Sequence, residues 1–439
     1  MAKVEKVKEP TKVVIKSEKT KVMEVAVDVA EKAIGEVIEE LVGPRSIEPT
    51  GVVAEEMVKK GVIEETGEII RREPIIDKKT KAEIAKKILG LKDVMKALDK
   101  KFVAEGDKSE RKIVAVASSD TWYQVERIPS GVMAFDIATF GGIPKGRLTE
   151  FVGDESSSKT SMALRVIGQA QKQGLLCAYV DVEGTIDKKW AANFCDVDSL
   201  LLSQPVSGEE AMEIVDALIR SGSVDLIIVD SIAAMTPMTE IKKGFDEATM
   251  GVLAKLVNLA MRKWVSSQTY ALRTFNNPVT ILYIQQYRQK VGFVMGDPNI
   301  VPGGMAQRFA KSLSVKMWHG KTLMEKETDK PISIDMNFRV VKSKVCPSNM
   351  SGTYSMMIRD DAHFRSGDVN EVEALRKLCV KYNFIAKTGK NYEILKEVPG
   401  KEDTFLHCPT LEGIDKIFLE NPDVFELYKT EMMEFLIAL

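Results

Sequence analysis

The amino-acid sequence predicts an α/β fold built on a mostly parallel sheet with helices on both faces. Three observations lead there. Between residues 125 and 345 short apolar runs alternate with helical patterns, as expected of strands joined by crossover helices. A run resembling a phosphate-binding loop, FVGDESSSKTSM (151–162), stands between one such strand and one such helix. Polar residues also end several of the apparent strands, where ligands of open α/β sheets bind.

Length and composition bound the rest. At 439 residues the chain exceeds one typical domain. Lys and Arg number 62 against 64 Asp and Glu, so nucleic-acid binding cannot be read from bulk charge and would need local patches. No apolar run reaches the ~18 residues of a membrane span, and MAKVEKVKEP lacks the apolar core of a signal peptide. A protein of the cytoplasm, away from membranes, is expected. Five cysteines without a CxxC pair and three histidines argue against structural zinc. The thiols are expected as buried small hydrophobes.

In chain order, residues 1–75 are rich in Lys, Glu and Val and form an extension of unknown role, with an amphipathic helix predicted over 22–42. Residues 76–124 hold a helix and a charged linker, VAEGDKSERK. In that helix Ile84, Ile88, Leu91, Met95, Leu98 and Phe102 recur at three- and four-residue spacing and form one stripe. The stripe buries either in its own core or against a neighbouring subunit. Residues 125–350 carry five predicted buried strands: RLTEFVG, LLCAYVDVE, SLLLSQP, VDLIIVD and PVTILYIQQ. Residues 351–439 read as a small C-terminal α+β domain, helical segments around a central turn.

The phosphate loop is explained by its chemistry. Backbone N–H groups from Gly153, Asp154, Glu155, Ser156, Ser157, Ser158 and Ser161, around a helix start, cradle an anion. Lys159 adds a charge for the β- and γ-phosphates, and the Thr160 hydroxyl suits Mg²⁺. Ser158 stands where the usual pattern has glycine, adding a Cβ beside the phosphates. Asp230 ends VDLIIVD as a carboxylate that holds Mg²⁺ in related loops; taken alone, an ordinary strand with a polar end is the better reading. Glu183, in YVDVEG, is placed to orient or deprotonate a water. YIQQYRQK ends another strand with paired glutamines.

These blocks resemble the RecA family of DNA strand-exchange recombinases. The resemblance runs from about Lys81 to the C-terminus, through IPSGVMAFDIATFGGIPKGRLTEFVGDESSSKTSM, CAYVDVEGTIDKKWA, LLLSQPVSGEEAMEIVDALIRSGSVDLIIVDSIAAMTP, MGVLAKLVNLAMRKW and VPGGMAQRFAKSLSV. It implies a RecA-like P-loop ATPase core, with ATP and Mg²⁺ as cofactors. A phage-encoded member is the expectation, because phage relatives vary in the loop before the lysine. Glu183 would activate water. Asp187 and Trp190 would sit at the adenine. Gln286 would sense the γ-phosphate. Lys342 and Lys344 would reach the nucleotide of the adjacent subunit, with Arg308 and Phe309 at the same interface. A head-to-tail contact of that kind gives a helical filament.

The resemblance also implies single-stranded and duplex DNA as partners, with single-strand-binding and loader proteins as possible helpers. DNA contacts would come from Met250, Gly251 and Arg262 at one loop. A second loop would supply Arg288, Lys290, Val291, Gly303, Gly304 and Met305. Basic groups meet phosphates there, and apolar side chains pack on bases. The family's cations for a second, duplex strand are thin here: Trp318 and Asn337 stand at such positions beside Lys316, His319 and Arg339. Lys387 and Lys390 offer another route for duplex. Two alternatives share these residues: a RecA-fold ring helicase, and a DNA-coating filament protein in which Ser158 has abolished turnover.

Overall fold

Every residue from Leu148 to Gly153 is buried, and that pattern sets the centre of the sheet. The computed structural model describes residues 78–102, 114, 125–243, 251–289, 299–300, 302, 304, 306–325, 329–396 and 404–438. All belong to a unit running from Pro74 to Leu439. The extension 1–75 and its helix lie outside the described residues, as does the charged linker VAEGDKSERK.

The strands are, in order, β1 (Arg127–Ile128), β2 (Ile143–Pro144), β3 (Leu148–Gly153), β4 (Cys177–Asp181) and β5 (Leu200–Ser203). Next come β6 (Leu226–Asp230), β7 (Thr280–Gln286), β8 (Arg288–Gln289), β9 (Asn299–Ile300) and β10 (Leu313–Met324). The last of this region are β11 (Pro331–Ser343), β12 (Ser351–Met357) and β13 (Val369–Asn370). Nine of them form one sheet in the order β13-β12-β11-β10-β3-β7-β6-β4-β5. Pairing is parallel from β10 to β5 and antiparallel from β10 to β13.

Alternate residues of the central strands enter two separate cores, as the two-residue period of a strand requires. Phe151, Tyr179, Ile228 and Leu282 pack with Met162, Val166 and Ile167 of the helix Lys159–Lys172 and with Phe135. Leu148, Val180, Val229 and Ile281 pack with Val215 and Ile219 of Gly208–Ser221 and with Val257, Met261 and Trp264 of Val252–Phe275. Each such side chain, fully buried, is worth about 1.5–3 kcal/mol. Continuous apolar runs are therefore stable in the middle of the sheet. No helix among the described residues is long and apolar enough to cross a membrane.

Three sequence expectations change. The strand in SLLLSQP is not buried: β5 is the sheet edge, and Leu201 and Leu202 are 46% and 41% exposed. The helix expected from Lys81 is two, Lys78–Gly90 and Lys92–Phe102. Gly90 is a poor helix former, and the chain turns at Leu91. The longest strands, β10 and β11, were not predicted at all. Their polar residues alternate with apolar ones and pair across the hairpin, Lys316 with Arg339 and Trp318 with Asn337. That leaves one face apolar and one wet, a pattern weaker than a continuous apolar run.

The C-terminal segment is α+β: helix Val372–Lys381, an antiparallel sheet of β14 (Ala386–Thr388), β15 (Asn391–Lys396) and β16 (Thr404–Cys408), and helices Leu411–Glu420 and Pro422–Ala438. A buried cluster ties it to the core. Glu371 accepts from Met133 N at 2.5 Å and pairs with Lys429 at 2.6 Å, while Asp136 accepts from Ser130 N at 2.8 Å. Burial pushes the Asp136 carboxyl up to about 7, against the Ser130 hydrogen bonds and with the Glu371 charge adding to the rise. A raised folded-state value means that the stabilisation is complete below about pH 4 and is lost as pH climbs towards 7. At about 1.4 kcal/mol per unit this is roughly 4 kcal/mol. Thermal melts between pH 5 and 8 should show wild type losing stability more steeply than Asp136→Asn; parallel slopes would rule the assignment out.

Candidate nucleotide site

β3 delivers the chain to the phosphate loop, and the geometry there requires Gly153. A Cβ at that position would stand 2.1 Å from the backbone oxygen of Met317 on β10. The loop then closes on itself. Ser157 Oγ donates to Asp154 O at 2.7 Å, and Lys159 Nζ donates to the same oxygen at 2.5 Å and to Ser157 Oγ at 3.0 Å. Lys159 is 5% exposed. Burial lowers its affinity for a proton, and Asp230, Asp154, Glu183 and Glu155 oppose that fall.

Ser158 stands just before the helix with φ 59° and ψ 21°, and Ser156 also has positive φ, 56°. These are left-handed conformations that favour glycine. The hydroxyl of Ser158 is directed at β12, 4.0 Å from Met356 Sδ. The substitution that the sequence flags is thus accommodated by backbone strain and a contact with the sheet. Ser158→Gly should keep stability within about 1 kcal/mol. Ser158→Val, β-branched at positive φ, should cost about 2 kcal/mol. Urea unfolding decides, and a valine variant as stable as the parent would contradict this backbone geometry.

Opposite the loop, β6 brings up Asp230. Thr160 Oγ1 and the Tyr179 hydroxyl both donate to Asp230 Oδ2, each at 2.7 Å. Burial raises the Asp230 carboxyl, while those two hydrogen bonds hold it down. The peptide bond from Asp230 to Ser231 is cis. Ser231 Oγ donates to Glu183 Oε1 at 2.6 Å, and Gln286 Nε2 donates to the same atom at 2.9 Å. Three strand ends thereby converge on one carboxylate. The loop carrying Glu183 is shaped by Asp181, which accepts from Gly184 N, Ile186 N and Gln204 Nε2 at 2.9, 3.1 and 2.9 Å.

A cleft of about 850 Å³ runs past Glu155 to Ser161, Glu183, Asp230 and Gln286 to an apolar wall of Ile334, Met336, Met356 and Ile358. Its size suits a small-molecule ligand, and its cation and backbone donors suit a triphosphate. Thr160 and Asp230 offer two adjacent hard oxygens, the donor type that Mg²⁺ takes together with water and phosphate. The residues fit both groups.

Other sequence candidates fall elsewhere. Asp187 caps the helix Lys188–Ala191, accepting from Lys189 N and Trp190 N at 2.7 and 3.0 Å. Trp190 meets Phe194 edge-on at 5.2 Å. Neither lines the cleft. Arg288 does line it, donating to Ala233 O at 3.0 Å. Lys342 Nζ donates to Arg308 O, and Lys344 Nζ to Phe309 O at 2.7 Å. Beside them the Phe309 ring is 70% exposed.

Gly251 precedes the helix Val252–Phe275 with φ 74°, and Arg262 sits on its exposed side. Asn258 of the same helix accepts from Ala306 N at 2.9 Å and abuts Gly304. Met250, Lys290, Val291, Gly303 and Met305 lie outside the described residues. The sequence reading missed Tyr179, Asp181, Ser231 and Asn258, and gave Gln285, the first of the paired glutamines, no role of its own. Gln285 is buried on β7 and donates to Pro302 O and Gln307 Oε1. Asp181 and Ser231 each stand within two residues of a candidate carboxylate, the one signal available for them.

A family model described as the RecA N-terminal domain matches residues 90–361. The chain is 38% identical over 324 residues to Protein RecA of Nautilia profundicola, covering 73% of this chain and 86% of that protein. It is 37% identical over 281 residues to Protein RecA of Acholeplasma laidlawii, covering 64% and 80%. A mitochondrial DNA repair protein recA homolog of Dictyostelium discoideum is 36% identical over 318 residues, covering 72% and 66%. With the phosphate loop, the strand-end carboxylates and a match over more than half its length, the chain belongs to the RecA family.

Proposed function

We propose that the protein is an ATP-dependent recombinase that polymerises as a helical filament on single-stranded DNA, pairs it with homologous duplex and exchanges strands. The observation that carries this reading is the division of cations. Lys159 stands inside the cleft, whereas Lys342 and Lys344 stand outside its lining, beside the exposed Phe309. A nucleotide held by Lys159 of one protomer is then completed by the two lysines of the next, so ATP joins successive protomers.

Within the cleft each residue has a task. Lys159 and the loop N–H groups bind the phosphates. Glu183 takes both hydrogen bonds on Oε1, which leaves Oε2 to accept a proton from the attacking water. Gln286 links that carboxylate to β7 and the loop that follows, so the presence of the γ-phosphate is communicated to the DNA-facing segments. Mg²⁺, when bound at Thr160 and Asp230, neutralises charge on the β- and γ-phosphates. Arg262, Arg288 and the loops around them supply the DNA contacts, and Lys387 and Lys390 offer duplex an entry.

The test is electron microscopy with single-stranded DNA and a slowly hydrolysed ATP analogue, paired with a strand-exchange assay. Wild type should form open helices and exchange strands, and the double variant Lys342→Ala/Lys344→Ala should bind nucleotide but fail to extend. Closed rings would favour a helicase, and filaments without phosphate release would favour a DNA-coating protein. A monomer that binds ATP tightly, indifferent to DNA, would refute the proposal.

A further inference from the structure

β7 ends in two glutamines that face opposite ways, because successive residues of a strand point to opposite faces of the sheet. Gln286 lines the cleft and donates to Glu183. Gln285 lies on the other face, with Ile281 and Tyr283, and is fully buried. The helix Ala306–Ala310 packs on that face through Ala306 and Ala310.

A closed set of hydrogen bonds joins the strand to the helix. Gln285 Nε2 donates to Gln307 Oε1 at 2.9 Å and to Pro302 O at 3.2 Å. Gln307 Nε2 donates to the same Pro302 oxygen at 2.5 Å, and Gln307 is 2% exposed. Stability alone does not account for two amides there, since replacing both partners of a buried hydrogen bond by apolar groups of similar shape costs little. Gln285 Oε1 also has no hydrogen-bond partner among the described residues, which is a further cost. What the amides add is direction. An apolar contact slides, whereas three mutually directed bonds hold one spacing and one orientation.

The helix so held has five residues, too few to keep its place unaided. Other side chains tether it as well. Asn258 Oδ1 accepts from Ala306 N at 2.9 Å, and Lys342 and Lys344 donate to Arg308 O and Phe309 O. Of these tethers the glutamine pair is the one that reaches the strand ending at the cleft. On the outer side of the helix Arg308 and Phe309 are exposed.

We propose that Gln285 and Gln307 are a positioning pair: they carry the position of the β7 end to the helix Ala306–Ala310, so that the nucleotide read by Gln286 sets how Arg308 and Phe309 are presented to the next protomer. This rests on the filament reading above and adds to it a route on the opposite face of the sheet from the nucleotide. A displacement of Gln286 towards a γ-phosphate moves its neighbour in the same strand, and the directed bonds take Pro302 and Gln307 with it. With leucine at both positions the strand end would move and the helix would stay.

The experiment uses the full-length protein as wild type, Gln285→Leu, Gln307→Leu and the double variant. Single-stranded DNA binding is titrated with ADP and with a slowly hydrolysed ATP analogue, and the ratio of the two midpoints measures the coupling. Analogue binding without DNA is followed by calorimetry, and stability by urea unfolding. Analogue affinity should stay within a few-fold of wild type, because neither Gln285 nor Gln307 lines the cleft. The midpoint ratio should fall by about tenfold in each single variant. It should fall no further in the double, since partners in one contact are not additive. A folded single variant with the wild-type ratio overturns the inference, even if that variant is less stable; so does a double variant in which the two losses multiply. If a leucine variant does not fold, Gln307→Asn, its amide drawn back by one methylene, decides by the same ratio. A wild type that binds DNA equally with ADP and the analogue refutes the filament reading and this inference together. A discriminating wild type beside equally discriminating variants sinks this inference alone.

Discussion

Lys159→Ala should weaken nucleotide binding by about 100-fold or more and abolish nucleotide-dependent filament growth. The ammonium is a buried cation inside the cleft, fixed by Asp154 O and Ser157 Oγ. Two charge-assisted bonds to phosphate are worth about 3 kcal/mol or more, and each 1.4 kcal/mol is tenfold in affinity. The fold should survive, because removing a buried ammonium also removes its desolvation penalty. Binding is measured by calorimetry and growth by electron microscopy on single-stranded DNA. Unchanged affinity would show that the loop does not hold the triphosphate.

Glu183→Gln should separate assembly from turnover. Glutamine keeps an acceptor for Ser231 Oγ and Gln286 Nε2, so the convergence of the three strand ends persists. It cannot take a proton from water at neutral pH, and losing a general base costs about 10²–10⁴ in rate. Phosphate release should collapse while ATP affinity stays within a few-fold and filaments persist on DNA. If assembly and turnover vanish together, Glu183 is a structural strut. If turnover is unchanged, another group activates the water.

The contrast between these two residues shows where a sequence carries information. Lys159 and Thr160 were legible because they lie in one contiguous motif, in a loop whose letters are read between one strand and one helix. Glu183 and Asp230 were legible as strand ends. What joins them was not. The bonds from Tyr179 and Thr160 to Asp230, and from Ser231 and Gln286 to Glu183, depend on which strands lie side by side. Asp187 and Trp190 were named through the resemblance to the family and not through their spacing. The structure adds that Asp187 caps the short helix that carries Trp190, a contact within the reach of an N-cap. Ser158 was read correctly as the odd letter. Its left-handed backbone and its contact with Met356 could not be seen without β12 alongside.

By itself the sequence determined the class of the fold, the position of the phosphate loop and the strand ends around it, because apolar periodicity and a contiguous motif are local properties. Tertiary structure alone decided that β10 and β11 extend the sheet, that β5 is its edge, and that Gln285 meets Gln307. Register between strands distant in sequence follows from how the two cores pack together, and no single strand encodes that choice.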